Sequence, residues 1–149
     1  MLNRDFKEFA ELLNAGGVDY LVVGGYALAA HGHPRYTGDI DFWLSTAPGN
    51  IERLLAVLQQ FGFGSLGLAA ADFSHDTVVQ LGQPPRRIDL LTGIDGVQFD
   101  ACWPRRQRLV VDSVPLNFIG VDDFKTNKRA AGRLKDLADL EALEPPQPD

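Results

Sequence analysis

The chain has one cysteine, Cys102, in 149 residues. That excludes an internal disulfide. The first residues, Met1-Leu2-Asn3-Arg4-Asp5, lack an export signal, so a reducing cytoplasm is the expected compartment. Long apolar runs are missing too. Tyr20-Leu21-Val22-Val23 is of strand length, far short of the ~20 residues that span a bilayer, and no membrane partner is expected. A positive overall charge is also lacking: the formal net charge is −6, which argues against a general nucleic-acid coat. The charge is unevenly spread. Ten of the 14 Lys and Arg residues fall between Arg86 and Lys135, against six acids there, a local balance of 10 − 6 = +4. Such a stretch is either a phosphate-facing surface or a solvated helix face with a few loop arginines.

There is no internal repeat and no low-complexity segment. Residues 1–143 are expected to form one domain, with 144–149 (Glu144-Pro145-Pro146-Gln147-Pro148-Asp149) a disordered tail. Phe6, Phe9, Ala10 and Leu13 recur at helical spacing, and Gly16-Gly17 ends that helix. Tyr20-Leu21-Val22-Val23 reads as a buried strand. Gly24-Gly25 then leads into a short helix over 26–31, and residues 32–38, with Pro34 inside, form a loop. Residues 39–44 alternate as a strand does. Ile51, Leu54, Leu55 and Leu58 line one face of a helix over 48–61, with Pro48 in its first turn. Residues 62–72 fit no single pattern. Strands follow over 77–81 and 87–91, then a hairpin turning at Asp112-Ser113. A last helix, capped by Asp122, runs to about Leu143. This order predicts an α/β (α+β) fold, a sheet with helices packed on it.

Alternate strand residues share a face, so Asp39 and Asp41 point the same way while Ile40 and Phe42 face the core. Two carboxylates roughly 6–7 Å apart along a strand repel unless a cation neutralises them. Mg²⁺ suits them because it prefers carboxylate oxygens and keeps some of its waters. The alternative is a solvated pair on an edge strand. Glycosyltransferases that take sugar nucleotides also use Asp-x-Asp. Asp89 lies mid-strand in Arg87-Ile88-Asp89-Leu90-Leu91, where an unpaired charge is costly. It either joins the Asp39–Asp41 pair or forms an ion pair with Arg86 or Arg87. Three carboxylates can hold two Mg²⁺ ions.

Gly24-Gly25 lets the backbone approach a ligand, and N–H groups at a helix start favour anions. Neither a P-loop lysine nor the Gly-x-Gly-x-x-Gly spacing is present, and a plain tight turn explains the pair equally. Arg35 meets either a phosphate or Asp39. Thr37 binds a phosphate or caps its own loop. Lys125, Lys128, Gly132, Lys135 and Asp139 share a helix stripe. Most of it is expected to face water with Lys135 pairing Asp139, and Lys128 is the candidate for a phosphate contact. His31 and His33 lack the further ligands that zinc needs. Ser74-His75-Asp76 cannot adopt triad geometry, because its members are adjacent. Cys102 and Trp103 read as packing residues.

Together, Val23-Gly24-Gly25-Tyr26-Ala27-Leu28-Ala29-Ala30-His31-Gly32, then Arg35-Tyr36-Thr37-Gly38-Asp39-Ile40-Asp41-Phe42, resemble the core of the nucleotidyltransferase superfamily. The resemblance is nearest to minimal bacterial nucleotidyltransferases, including those related to abortive-infection (toxin–antitoxin) proteins. A third Asp on a later strand, Asp89, fits the pattern, as do Lys128, Gly132-Arg133, Lys135-Asp136 and Asp139 near the end. The resemblance implies a mixed β-sheet carrying helices, Mg²⁺ (or Mn²⁺) dependence and a nucleoside triphosphate substrate, ATP among the candidates. It implies that Asp39, Asp41 and Asp89 are catalytic metal ligands, with Asp89 helping to deprotonate the acceptor hydroxyl. It places the triphosphate at Gly24 and Gly25; Arg35, Thr37 and Lys128, read from the residues themselves, complete the expected nucleotide-binding set. Tyr26 departs from the pattern, standing where many such enzymes carry Ser or Thr.

The expected activity is transfer of a nucleoside monophosphate from the triphosphate to a hydroxyl on tRNA, protein or a small molecule. The partner is a second copy in a homodimer or a cognate antitoxin. A non-catalytic nucleotide- or partner-binding module is the alternative, and a sugar-nucleotide glycosyltransferase is a third reading in which Gly24-Gly25 has no role.

Overall fold

The structure, a computed structural model, describes residues 2–144 except His75. The expected tail from Pro145 onward and the His75 position lie outside the described residues.

Helix α1 (Arg4–Ala15) starts where the Asn3 side chain accepts a 2.9 Å hydrogen bond from the Phe6 N–H. It buries Phe6, Phe9, Ala10 and Leu13. Strand β1 (Tyr20–Val23) is buried throughout. Helix α2 (Gly24–Ala30) begins at the glycines themselves, earlier than residue 26. Strand β2 (Asp39–Leu44) follows, then α3 (Pro48–Leu58), which buries Ile51, Leu54, Val57 and Leu58. Beyond Leu58 the chain widens into a looser turn, Gln59–Phe63, broken inside by Gly62 at φ +102°, and residues 64–66 and 70–73 form short 3-10 turns. Strands β3 (Val78–Leu81) and β4 (Arg87–Leu91), the single-turn helix α4 (Phe99–Cys102), and the hairpin β5 (Gln107–Val111) and β6 (Val114–Phe118) come next. Asp112 and Ser113 both have positive φ (50° and 70°), which matches a tight hairpin turn to the twist of its strands.

Two expectations for the C-terminal region are corrected. The last helix is two helices, α5 (Val121–Ala131) and α6 (Leu134–Leu143), separated by Gly132 in the left-handed region at φ +66°. Its N-cap is Gly120, and Asp122 sits in the first turn, where a negative charge favours the helix dipole.

The six strands form one mixed sheet in the order β3-β4-β2-β1-β6-β5. β2 runs antiparallel to β1 and parallel to β4. It is therefore a central strand, and the edge-strand alternative for its aspartates does not apply. Phe42 packs at 5.5 Å from Phe9 and 5.4 Å from Tyr20, which assigns the Ile40/Phe42 face to the α1 side. Each of these rings is fully buried, worth roughly 1.5–3 kcal/mol apiece. Asp39 and Asp41 emerge on the opposite face. Among the described residues, no helix is long and apolar enough to cross a membrane.

Candidate metal centre

The register of β2 against β4 builds the centre. Asp41 stands opposite Asp89, and Asp39 stands opposite Arg87. In a parallel pair, directly opposed residues project from the same face, so both strands deliver their acids to one place. One carboxylate oxygen from each of Asp39, Asp41 and Asp89 lies within 4.8 Å of the others. Asp89 is only 5% exposed, and Asp39 and Asp41 are half-buried.

Arg87 spans the outer two acids. Its Nη2 donates to Asp39 Oδ2 at 2.8 Å and to Asp89 Oδ2 at 3.2 Å, and its Nε donates to Asp89 Oδ1 at 2.9 Å. Thr37 Oγ1 donates to the remaining Asp39 oxygen, Oδ1, at 2.8 Å and to the Asp39 carbonyl at 3.1 Å. Thr37 thus caps its own loop and fixes the rotamer of Asp39.

These surroundings separate the three acids. Burial opposes ionisation of Asp39, but hydrogen bonds with Asp89, Thr37 and Arg87 outweigh it and hold the carboxyl below its usual value. Burial, the Asp39 charge and the Asp89 carboxylate push Asp41 up to about 8. Burial and the neighbouring Asp39 also raise Asp89, against the pull of Arg87. Without a further cation Asp41 therefore keeps its proton at neutral pH. All three donors are hard oxygens, the set that fits Mg²⁺ or Mn²⁺.

Gly24 closes one side. It sits at φ +70° immediately after Val23, the β1 residue opposite Asp41, and a β-carbon there would collide with Asp41 Oδ2. At Gly25 a β-carbon would come within 3.0 Å of the Thr37 β-carbon. Both glycines leave the backbone bare at the wall of a cleft of about 520 Å³ that opens over the acids.

The opposite wall comes from the α5–α6 elbow. Lys128, Arg133 and Lys135 line it, and Arg35 joins from the loop before β2. Lys128 is buried, with Nζ 3.2 Å from Asp136 Oδ1 and 3.0 Å from Asp139 Oδ2. Arg35 forks onto Asp139 at 3.2 and 3.0 Å, and Arg133 Nε lies 2.6 Å from Asp136 Oδ2. The five charges form one chain, Arg35–Asp139–Lys128–Asp136–Arg133, which ties the loop before β2 to both helices. The expected water-facing stripe is corrected here: Asp139 and Lys128 are buried, and Asp139 pairs with Arg35 and Lys128, not with Lys135. Arg35 meets Asp139 and not Asp39. Lys135 is exposed and makes no ion pair among the described residues, yet its charge reaches Asp41 and lowers that carboxyl's pKa against the larger upward pushes. Spacing alone does not mark Arg133 and Lys135 as site residues. The sequence signal for them is Gly132, whose positive φ turns the chain back over the cleft. His31 is engaged at 2.9 Å with the Ile119 carbonyl.

No protein-family model matches the chain, and no curated protein matches it either. Solved structures similar to it include an antigenic nucleotidyltransferase-like protein from Paracoccidioides brasiliensis, 19% identical with a TM-score of 0.54, the match covering 90% of this chain and 71% of that one. They also include a protein assigned as a nucleotidyltransferase from Thermotoga maritima, 14% identical with a TM-score of 0.53, covering 94% of this chain and 88% of that one. At these identities the likeness is one of fold. The chain has a nucleotidyltransferase-like α+β fold, and its central strands gather three carboxylates able to hold a divalent cation.

Proposed function

We propose that this protein is a metal-dependent nucleotidyltransferase that moves a nucleoside monophosphate from a nucleoside triphosphate to an acceptor hydroxyl. The observation that carries this reading is the β2–β4 register, which converges Asp39, Asp41 and Asp89 at the floor of a cleft inside a nucleotidyltransferase-like fold. Asp39, Asp41 and Asp89 hold Mg²⁺ or Mn²⁺. When bound, the metal supplies charge stabilisation at the phosphates and acidifies a nearby hydroxyl.

The chain's own residues do the rest. Asp89, set beside Asp39 and Asp41 in the cleft, accepts the acceptor's proton. The acceptor oxygen forms a bond to the α-phosphorus as the bond to the bridging α–β oxygen breaks, and pyrophosphate leaves with that electron pair. Gly24 and Gly25 give the triphosphate room against the backbone. Thr37 holds Asp39 in place, and Arg35 and Lys128 set the positive wall of the cleft through the charge chain described above.

The test is label transfer from α-phosphate-labelled ATP, GTP, CTP and UTP, with tRNA, protein and small-molecule acceptors as separate arms. Mg²⁺-dependent labelling and pyrophosphate release are expected from the native protein and neither from Asp41→Asn. Full activity in that variant overturns the assignment. Metal-dependent nucleotide binding with no pyrophosphate release under any acceptor favours the alternative, a nucleotide-binding module of the same fold.

A further inference from the structure

The two outer carboxylates already hold a cation, the Arg87 guanidinium. Its Nε and Nη2 form a fork on Asp89 at 2.9 and 3.2 Å, and Nη2 also reaches Asp39 at 2.8 Å. Both oxygens of Asp89 and one of Asp39 are thus engaged, and Thr37 engages the other. Of the triad, only Asp41 receives no hydrogen bond from a cationic side chain among the described residues. Arg87 is positioned for this by the sheet: it stands opposite Asp39 and two residues before Asp89, so all three project from one face. Its side chain is 29% exposed and borders the cleft, so it has open space into which to turn.

A divalent ion on these acids must share their oxygens with the guanidinium, and two cations on the same carboxylates repel. We propose that Arg87 is an exchangeable internal counter-ion: it bridges Asp39 and Asp89 and offsets part of their charge while the centre is metal-free, yields them when the metal enters, and then turns its fork to the phosphates of the nucleotide. Its planar, bidentate donor set fits a phosphate as well as a carboxylate. The exchange keeps a cation on Asp39 and Asp89 in both states and makes metal entry and phosphate binding favour one another. This assignment rests on the metal-dependent reading above.

The experiment compares the native protein with Arg87→Met and Arg87→Lys. Mn²⁺ binding is followed by calorimetry and by the electron paramagnetic resonance signal of free Mn²⁺, without nucleotide. Binding of each nucleoside triphosphate is then measured at saturating Mn²⁺. The melting temperature is recorded with and without metal. Removing the competitor is expected to tighten Mn²⁺ binding about tenfold in Arg87→Met while weakening nucleotide binding about tenfold, with Arg87→Lys between. The Met variant should melt lower than the native protein only when metal is absent, because Mn²⁺ replaces the missing charge.

Mn²⁺ affinity that is unchanged or weaker in a folded Arg87→Met overturns the proposal and leaves the function reading standing. A melting temperature lowered equally with and without metal overturns it too, since that marks a purely structural ion pair. Tighter Mn²⁺ binding together with unchanged nucleotide affinity overturns the phosphate half. Absence of Mn²⁺ binding by both native protein and Arg87→Met overturns the function reading and this inference together.

Discussion

Gly24 and Asp41 touch across the end of β1: a β-carbon on Gly24 would overlap Asp41 Oδ2. The same residue also takes φ +70°, a conformation that L side chains rarely adopt, so both the backbone and the space at this position require glycine.

Gly24→Ala should therefore act twice. It strains the backbone and pushes the Asp41 carboxylate out of place. A loss of roughly 2–4 kcal/mol is expected in urea unfolding, together with at least tenfold weaker Mn²⁺ binding. Gly25→Ala should be milder, since Thr37 can shift by a few tenths of an ångström, and should mainly loosen Asp39. Equal unfolding midpoints for Gly24→Ala and the native protein would contradict the packing described.

The acids also predict how stability varies with pH. Asp41 is raised to about 8 in the folded protein, against an ordinary 3.8 once unfolded. Between these values the folded state binds more protons than the unfolded state, so stability falls as pH rises from about 4 towards 8. The raised Asp89 adds to the fall, whereas the lowered Asp39 acts in the other direction and only at more acidic pH, near and below 3.8. In chelator, the melting temperature should drop from pH 5.5 to 8.5 as the unfolding free energy falls by at most about 1.4 kcal/mol per pH unit for each proton. Asp41→Asn should flatten the drop. Added Mg²⁺ should flatten it too, because the metal takes the ionised acids. A melting temperature that rises over this window in chelator would show that Asp41 is ionised without metal.

Much of the centre was legible because it depends on local periodicity. Alternation along 39–44 placed Asp39 and Asp41 on one face, and the mid-strand setting of Asp89 flagged it as a charge in need of a partner. Which strand lies beside which is not a local property, so the register that sets Asp41 against Asp89 was visible only in the fold. The same limit hid the role of Lys128. A stripe at spacings of three and four on a continuous helix looks solvated. The chain instead reverses at Gly132, which brings Asp136 and Asp139 back onto Lys128 and buries all three. Helical periodicity carries no record of such a reversal. Arg35 reads from the sequence as a partner for a phosphate or for Asp39, whereas the acid it meets, Asp139, lies 104 positions away on α6.

The buried Lys128 pair gives a third prediction, one of stability. Lys128→Met keeps the length of the side chain and removes its charge, leaving Asp136 and Asp139 with only the partly exposed Arg133 and Arg35. A cost of roughly 3–5 kcal/mol in urea unfolding is expected. Arg35→Met should cost clearly less, because its side chain is 39% exposed and Asp139 keeps Lys128. If Lys128→Met lost less than Arg35→Met, the charge chain would not be what holds the elbow over the cleft.

Lys135 should show the opposite profile. It is exposed, borders the cleft and makes no ion pair among the described residues, so its removal leaves nothing buried unpaired. Its charge nevertheless reaches Asp41, which puts it within range of whatever anion sits above the acids. Lys135→Ala is expected to leave the melting temperature within about 1 °C of the native value, as surface substitutions generally do. Affinity for a nucleoside triphosphate in Mg²⁺ should fall roughly tenfold, the equivalent of one charge-assisted hydrogen bond. The loss should shrink as salt is raised, because an exposed charge is screened beyond about 10 Å at 0.1 M ionic strength. The decisive comparison is with Lys128→Met: one lysine is buried in the charge chain, and the other is exposed beside the cleft. Unchanged triphosphate affinity in Lys135→Ala at low salt would move the phosphates away from the α6 side of the cleft and towards Gly24 and Gly25.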